Sequence, residues 1–300
     1  MKPNFLQTRI LFNLVTILGT LIFSVEGLAA GDNPPTRIAG TDLFVGPIAE
    51  SILVSGKSLD LQAEWIGSYK AIQKLRSGKV DLAIVSSTSR SSLPKLPEMQ
   101  ILPLAYRMSR VIVAKDNPMS EVSLSQLKSI FGSRANLRME TWGQLGLDAR
   151  WGAQAITPMV PRRFTTFSPE VFELHVLPGN RFHSAVKVFP DEQELIKAFP
   201  NDPGAIAVLS SLRAEEFGKA LPIVFGDGQS FGATPENLYF GDYPLQMPFS
   251  LLFPRSRIKE LLPLVRVIYS SEVAQAIFQG GLAPVPDDFR KAELKKLGAN

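Results

Sequence analysis

Residues 59–85, LDLQAEWIGSYKAIQKLRSGKVDLAIV, decide the fold class of this chain. Leu59, Leu61, Ala63 and Trp65 alternate with polar neighbours, the period of a half-buried strand. Gly67-Ser68 then opens a helix, with Ala71, Ile72 and Leu75 on the inward face and Lys70, Lys74 and Arg76 outward. Gly78 stops that helix, and the apolar run from Val80 to Val85 predicts a buried strand. Strands alternating with helices predict an α/β fold whose sheets are mainly parallel.

The same grammar extends in both directions. Upstream, Ile38-Ala39 leads through Gly40-Thr41-Asp42 into a helix from Phe44 to Val54, with Ile48, Ile52 and Leu53 at helical spacing. Downstream, Ile101 to Ala105 and Arg110 to Ala114 read as strands, and Ser123 caps a helix to Phe131. Trp142 to Pro161 reads as irregular. Ser168 to Leu177 is a helix, Ala185 to Phe189 a strand and Asp191 to Phe199 a helix. Ala205 to Leu209 and Leu221 to Phe225 are strands, Gly226 to Asp242 a polar loop, and Pro248 to Phe253 a strand. The end is helical, with Leu261, Val265 and Ile268 sharing a face. No Pro/Gly-rich linker divides the chain, so any two lobes must be joined by continuous crossing strands.

Composition narrows the function. The chain has 300 residues, 45% of them hydrophobic and 20% charged, enough for a large core. Its net charge of +4 is scattered, with no basic run of the kind that tracks a nucleic-acid backbone. It has no cysteine, which excludes thiol nucleophiles, Cys-ligated zinc, disulfides and a lipidated N-terminal Cys. Lys2 and Arg9, the apolar run from Ile10 to Phe23, and Gly27-Leu28-Ala29-Ala30 make the pattern of a signal peptide over residues 1–30, cleaved near Ala29 or Ala30. The apolar run is shorter than the ~20 residues a membrane span needs, and no later stretch is long enough. The mature protein is therefore expected outside the cytoplasm.

Three turns carry small hydroxyl residues where a strand gives way to a helix or loop: Thr41, Ser68 and Ser86-Ser87-Thr88-Ser89. A fourth segment, Arg162 to Pro169, combines guanidinium, hydroxyls and a helix start. Helix N-termini expose unpaired N–H groups and suit an anion, and Arg adds a charged donor. Ser and Thr also cap helices everywhere, and Ser168 before Pro169 reads equally well as an N-cap. Gly228 to Gly232 matches G-x-S-x-G, the nucleophile elbow, but both histidines, His175 and His183, lie upstream and a loop follows, so a serine hydrolase at Ser230 is the least supported reading. The histidines read as structural, and Asp191-Glu192 and Glu215-Glu216 as solvated faces.

Taken in order, these motifs resemble the phosphate-type periplasmic solute-binding proteins, from about Ile38 to Val285. Gly40-Thr41-Asp42-Leu43-Phe44 is similar to the family's first ligand loop, Gly67-Ser68 and Val80-Asp81-Leu82-Ala83 to its second and third turns, and Ile156-Thr157-Pro158 through Phe172 to its Arg–hydroxyl segment. Pro203-Gly204-Ala205-Ile206-Ala207, Thr234 to Leu245 and Ser271 to Pro284 resemble later family segments. The resemblance implies a two-lobed type II binding-protein fold, with residues 31–108 and 248–300 in lobe 1 and 109–247 in lobe 2. It places the crossings near Arg107–Ile112 and Tyr243–Ser250. It implies a monomeric periplasmic receptor, with no cofactor and no catalysis, that captures a small oxyanion (phosphate by family default) and hands it to an ABC transporter permease. The implied ligand set is Thr41, the Phe44 backbone N–H, Ser68, Ser86, Arg162, Thr166 and Ser168. Three positions depart from the pattern: Leu43 replaces Thr, Ser86 replaces Asp and Phe167 replaces Gly. An alternative is a diverged binding module that takes another anion or a protein partner.

Overall fold

The structure is a computed structural model that describes residues 34–44, 46–210, 212–226 and 228–298, with the backbone alone at position 90. The expected signal peptide and its cleavage site lie outside the described residues. In chain order the strands are β1 (Thr36–Gly40), β2 (Leu61–Trp65), β3 (Leu82–Ser86), β4 (Met99–Met108), β5 (Arg110–Val113), β6 (Val122–Ser123), β7 (Thr157–Pro161), β8 (Lys187–Phe189), β9 (Ala205–Leu209), β10 (Lys219–Ala220), β11 (Ile223–Phe225), β12 (Gln229–Phe231), β13 (Gln246–Pro254) and β14 (Ala283–Pro284). The helices are α1 (Pro47–Ser55), α2 (Ser68–Arg76), α3 (Leu124–Phe131), α4 (Ala149–Gly152), α5 (Ser168–Val176), α6 (Glu192–Ala198), α7 (Pro235–Phe240), α8 (Ile258–Ile268), α9 (Ser271–Gln279) and α10 (Asp287–Lys296).

Two principal sheets organise these elements. The first has the order β14-β4-β13-β3-β1-β2 and the second β10-β5-β9-β7-β8. Each has a parallel half, β3-β1-β2 and β9-β7-β8, built from strand–helix–strand units, and an antiparallel half where the long strands return. Ile38, Phe44, Ile52, Ile84, Phe249 and Phe253 are packed beneath the first sheet and are at most 1% exposed. Phe131, Trp142, Phe172 and Val208 belong to the core of the second and are fully buried. Each such side chain contributes roughly 1.5–3 kcal/mol by leaving water.

The sheets are joined at two places. A single residue, Ser109, separates β4 of the first sheet from β5 of the second. Its N–H donates to the Leu245 carbonyl at 2.9 Å, and the Tyr243 hydroxyl donates to the Ser109 carbonyl at 2.7 Å, so the outgoing and returning strands are bonded to each other. Burial pushes the Tyr243 phenol well above its ordinary range, which keeps it a protonated donor. Tyr243→Phe leaves the buried Ser109 carbonyl without this donor and is expected to cost about 1–2 kcal/mol in urea denaturation. A stability equal to wild type would show that the tie carries no weight.

Two segments differ from the sequence reading. Residues 142–161, read as irregular, contain β7, an interior strand of the second sheet. Its prolines hide it, because Pro normally marks a strand edge. The register explains why they fit: Pro158 lies where β8 has not yet begun, and Pro161 lies past the end of β9. Only Met159 is paired on both sides. The stretch from 226 to 242, read as a loop, holds β12 and α7. Thr234 accepts from the Asn237 N–H to start α7, and Gly241 ends it at φ 87°, a left-handed conformation natural to glycine. Among the described residues no single helix is long and apolar enough to cross a membrane.

Candidate functional site

The carboxyl ends of β1, β2 and β3 converge on three hydroxyls. Ile66 and Gly67 both donate their N–H groups to the Gly40 carbonyl, which folds the β2–α2 turn against the end of β1. Gly67 takes φ 91° to make that turn. Ser68, the first residue of α2, is thereby brought to Ser86 at the end of β3: their Oγ atoms lie 3.1 Å apart, and the Ser86 N–H donates to Ser68 Oγ at 2.9 Å. Thr41, 1% exposed, places its Oγ1 3.4 Å from Ser86 Oγ. Thr41, Ser68 and Ser86 thus form one connected cluster at the N-terminus of α2, on the sheet edge where ligands of open α/β sheets bind. Phe44 stands apart from it. Its ring is fully buried against Phe249 and Trp65, and its N–H already donates to the Thr41 carbonyl at 3.0 Å.

A second hydroxyl pair sits at the start of α5. Thr166 Oγ1 and Ser168 Oγ are 3.0 Å apart, and Ser168 is fully buried. The N-cap of α5 is Phe167, not Ser168, and no side chain caps this helix. Ser168 is the first helical residue, and its carbonyl accepts from Ser109 Oγ at 2.6 Å, tying α5 to the first crossing. Among the described residues no hydrogen bond joins this pair to the Thr41–Ser68–Ser86 cluster. Arg162 follows β7 directly and is exposed, without a side-chain partner among the described residues. No side-chain hydrogen bond among the described residues joins it to the hydroxyls, and the backbone after it turns back, with the Thr165 N–H and hydroxyl both bonding the Arg162 carbonyl.

A buried cation near the first crossing, Arg107, is a residue the sequence reading did not single out as a ligand. Arg107, near the end of β4, is 8% exposed, and its Nε and Nη1 have no partner among the described residues. Its Cζ lies 4.3 Å from the centre of the Phe167 ring, a cation–π contact. Burial lowers its pKa to about 10, partly offset by the charge of Glu170 in the first turn of α5. Glu170 Oε1 accepts from the Phe164 N–H at 2.8 Å, while Oε2 is buried and unpartnered. The available signal was the lone charge in the apolar stretch from Ile101 to Met108. Phe167 holds φ 60°, the left-handed region that glycine adopts freely, so the backbone turn survives the large side chain while its ring lies over Arg107.

Other candidates fall to the structural side. Ser230 is exposed on β12, paired with Val224 in a hairpin, so no strand-to-helix elbow exists there. His175 Nε2 lies 2.9 Å from the Gln246 carbonyl, and His183 Nε2 lies 2.7 Å from the Ile130 carbonyl. Burial holds the His175 imidazole below its ordinary pKa. A cavity of about 380 Å³ is lined by Thr88, Ser89 and Ser91 from the loop after β3, His175 of α5, and Gln246 and Pro248 of β13. A cavity of about 680 Å³ beside β5 and β10 involves none of the clustered hydroxyls.

No family model matches the chain. Over 258 residues it is 22% identical to the phosphate-binding protein PstS of Pseudomonas aeruginosa, covering 80% of this chain and 79% of that one. It is 21% identical to protein SphX of Synechococcus elongatus, over 100% of this chain and 91% of that one. In structure it is similar to PstS of Borrelia burgdorferi, with a TM-score of 0.66 at 16% identity over 85% of this chain and 100% of that one. A possible phosphate-binding protein from Planctomyces limnophilus superposes with a TM-score of 0.65 at 16% identity, over 88% and 98% of the two chains. The two mixed sheets, flanked by helices and joined by two crossing strands, are the two-lobed type II binding-protein fold, and in sequence and fold this chain resembles the phosphate-type periplasmic solute-binding proteins.

Proposed function

We propose that the chain is an exported, non-catalytic solute-binding protein that captures a small oxyanion between its lobes and delivers it to an ABC transporter permease from the periplasm. The observation that carries this reading is the hydroxyl cluster: Thr41, Ser68 and Ser86, far apart in sequence, meet within 3.1–3.4 Å at the N-terminus of α2. Thr166 and Ser168 supply donors from the other lobe. The lobes are taken as residues 31–108 with 248–300, and 109–247. β4 ends at Met108 and β5 begins at Arg110, in support of the first boundary, and β13 enters the first sheet at Gln246, close to the second. Similarity to proteins named for phosphate binding and the signal-peptide pattern support the ligand class and the location.

Thermal shift of the mature chain with phosphate, sulfate and molybdate tests this. A ligand at a hundredfold its Kd adds about 2.7 kcal/mol to stability. Absence of a shift with all three anions sinks the receptor reading. One observation favours a second reading, a diverged module binding another anion or a protein: Arg162 is exposed and the Phe167 ring covers Arg107. That reading is what remains if no oxyanion binds.

A further inference from the structure

We infer that the cavity of about 680 Å³ beside β5 and β10 is a second ligand site, suited to a small organic anion with an apolar body and one acidic head, such as an aromatic carboxylate. The inference is independent of the oxyanion reading above, because no residue of the hydroxyl cluster lines this cavity. Its volume falls in the range of small-molecule sites, ~300–1,000 Å³.

The argument starts from charge. Four chain segments wall the cavity: Arg110 and Lys115 on and just after β5, Glu215 with residues 218–222 around β10, residues 232–235 leading into α7, and Tyr243 on the returning crossing. Three cations thus meet one carboxylate. Glu215 is taken by Arg110, whose Nη1 lies 2.5 Å from Oε2, and Arg110 Nη2 donates to the Ala233 carbonyl at 3.0 Å, so the guanidinium is a fixed part of the wall. Lys219 Nζ donates to the Asn117 carbonyl, which leaves its charge uncompensated. Lys115 is exposed, with no side-chain partner among the described residues. Thr234 accepts from the Asn237 N–H, and the Tyr243 hydroxyl donates to the Ser109 carbonyl. The lining therefore presents two uncompensated positive charges and no uncompensated negative one.

Shape and polarity narrow the guest. Ala220, Leu221, Pro222 and Pro235 supply apolar wall between the charged groups. A cleft of one charge sign with low-dielectric walls focuses its field and concentrates counter-ions. A bare inorganic anion would answer the charge and leave the apolar wall wet. A ring or branched chain that ends in one carboxylate answers both, since its body removes apolar surface from water while its head meets the lysines.

Fluorescence titration of the mature protein with anilinonaphthalene sulfonate, an apolar body with one acidic group, tests the inference. Wild type should bind a single equivalent. Benzoate should displace it, benzyl alcohol at the same concentration should not, and excess phosphate should leave it bound. K115E and K219E should each weaken binding about tenfold. K57E, a charge reversal at an exposed lysine just after α1, should leave it unchanged and so controls for net charge. G232W should block the site: a Cβ at Gly232 would meet only Thr234 Cγ2, at 3.9 Å, so the backbone accepts a side chain at this lining position. K219E loses the Asn117 bond. Should it fail to fold by circular dichroism, K115E, which breaks no hydrogen bond among the described residues, decides the charge argument. Wild type without single-site binding, equal displacement by benzyl alcohol, displacement by phosphate, or binding by folded K115E or G232W that matches wild type overturns the inference. The receptor reading is decided separately, by the phosphate thermal shift.

Discussion

Asp81→Ala should lower the stability of the protein by about 2–3 kcal/mol, the loss of a buried carboxylate that three chain segments share. Asp81 is 6% exposed at the entrance to β3. Its Oδ2 accepts from the Arg37 N–H at 2.7 Å, and its Oδ1 from Arg257 Nη1 at 2.6 Å. One side chain thus pins the start of β1, the start of β3 and the approach to α8. Burial alone would raise its pKa, but the hydrogen bonds from Arg257 and Arg37 outweigh it and hold the carboxyl below its ordinary 3.8. A depressed folded-state pKa means that the stabilisation is complete above 3.8 and fades as the pH falls through the lower folded value. Urea titrations of wild type and Asp81→Asn should therefore differ at neutral pH and converge in acid. At neutral pH the alanine variant should melt about 5 °C or more lower. A gap independent of pH would show that the carboxylate's charge is not the stabilising element.

Ser86→Ala is expected to weaken oxyanion binding by 10- to 100-fold with little loss of stability. Its hydroxyl is the middle member of the cluster, 3.1 Å from Ser68 Oγ and 3.4 Å from Thr41 Oγ1, and a hydrogen bond to a charged group is worth about 1.5–3 kcal/mol. The Ser86 N–H to Ser68 Oγ bond survives the substitution, so the α2 turn should keep its place. Equal phosphate shifts in Ser86→Ala and wild type would remove the cluster from the site.

The strand–helix–strand core was legible because β1, β2, α2 and β3 obey simple periodicities that packing reinforces. Thr41, Ser68 and the run Ser86-Ser87-Thr88-Ser89 could be chosen from their turns, since strand ends of parallel units share an edge of the sheet, and the family resemblance picked Ser86 from that run. Long-range geometry was not legible. Nothing local tells that the backbone after Arg162 doubles back and leaves its side chain exposed, or that the Phe44 N–H bonds within its own turn. Arg107 entered only as the start of the first crossing, and the contact that covers it comes from the start of α5, about sixty residues on in the chain. Phe167 stood out only as a departure from the family's Gly. The structure instead gives its ring a guanidinium to cover.

The place of β13 has a consequence for how such a chain matures. It lies between β3 and β4, yet it consists of residues 246–254. Until that segment arrives, the first sheet exists only as two fragments with bare edges facing each other, open to unwanted pairing. The closure joins segments more than 150 positions apart, a slow step for any polypeptide. A nascent or C-terminally shortened chain stays unfinished in that half.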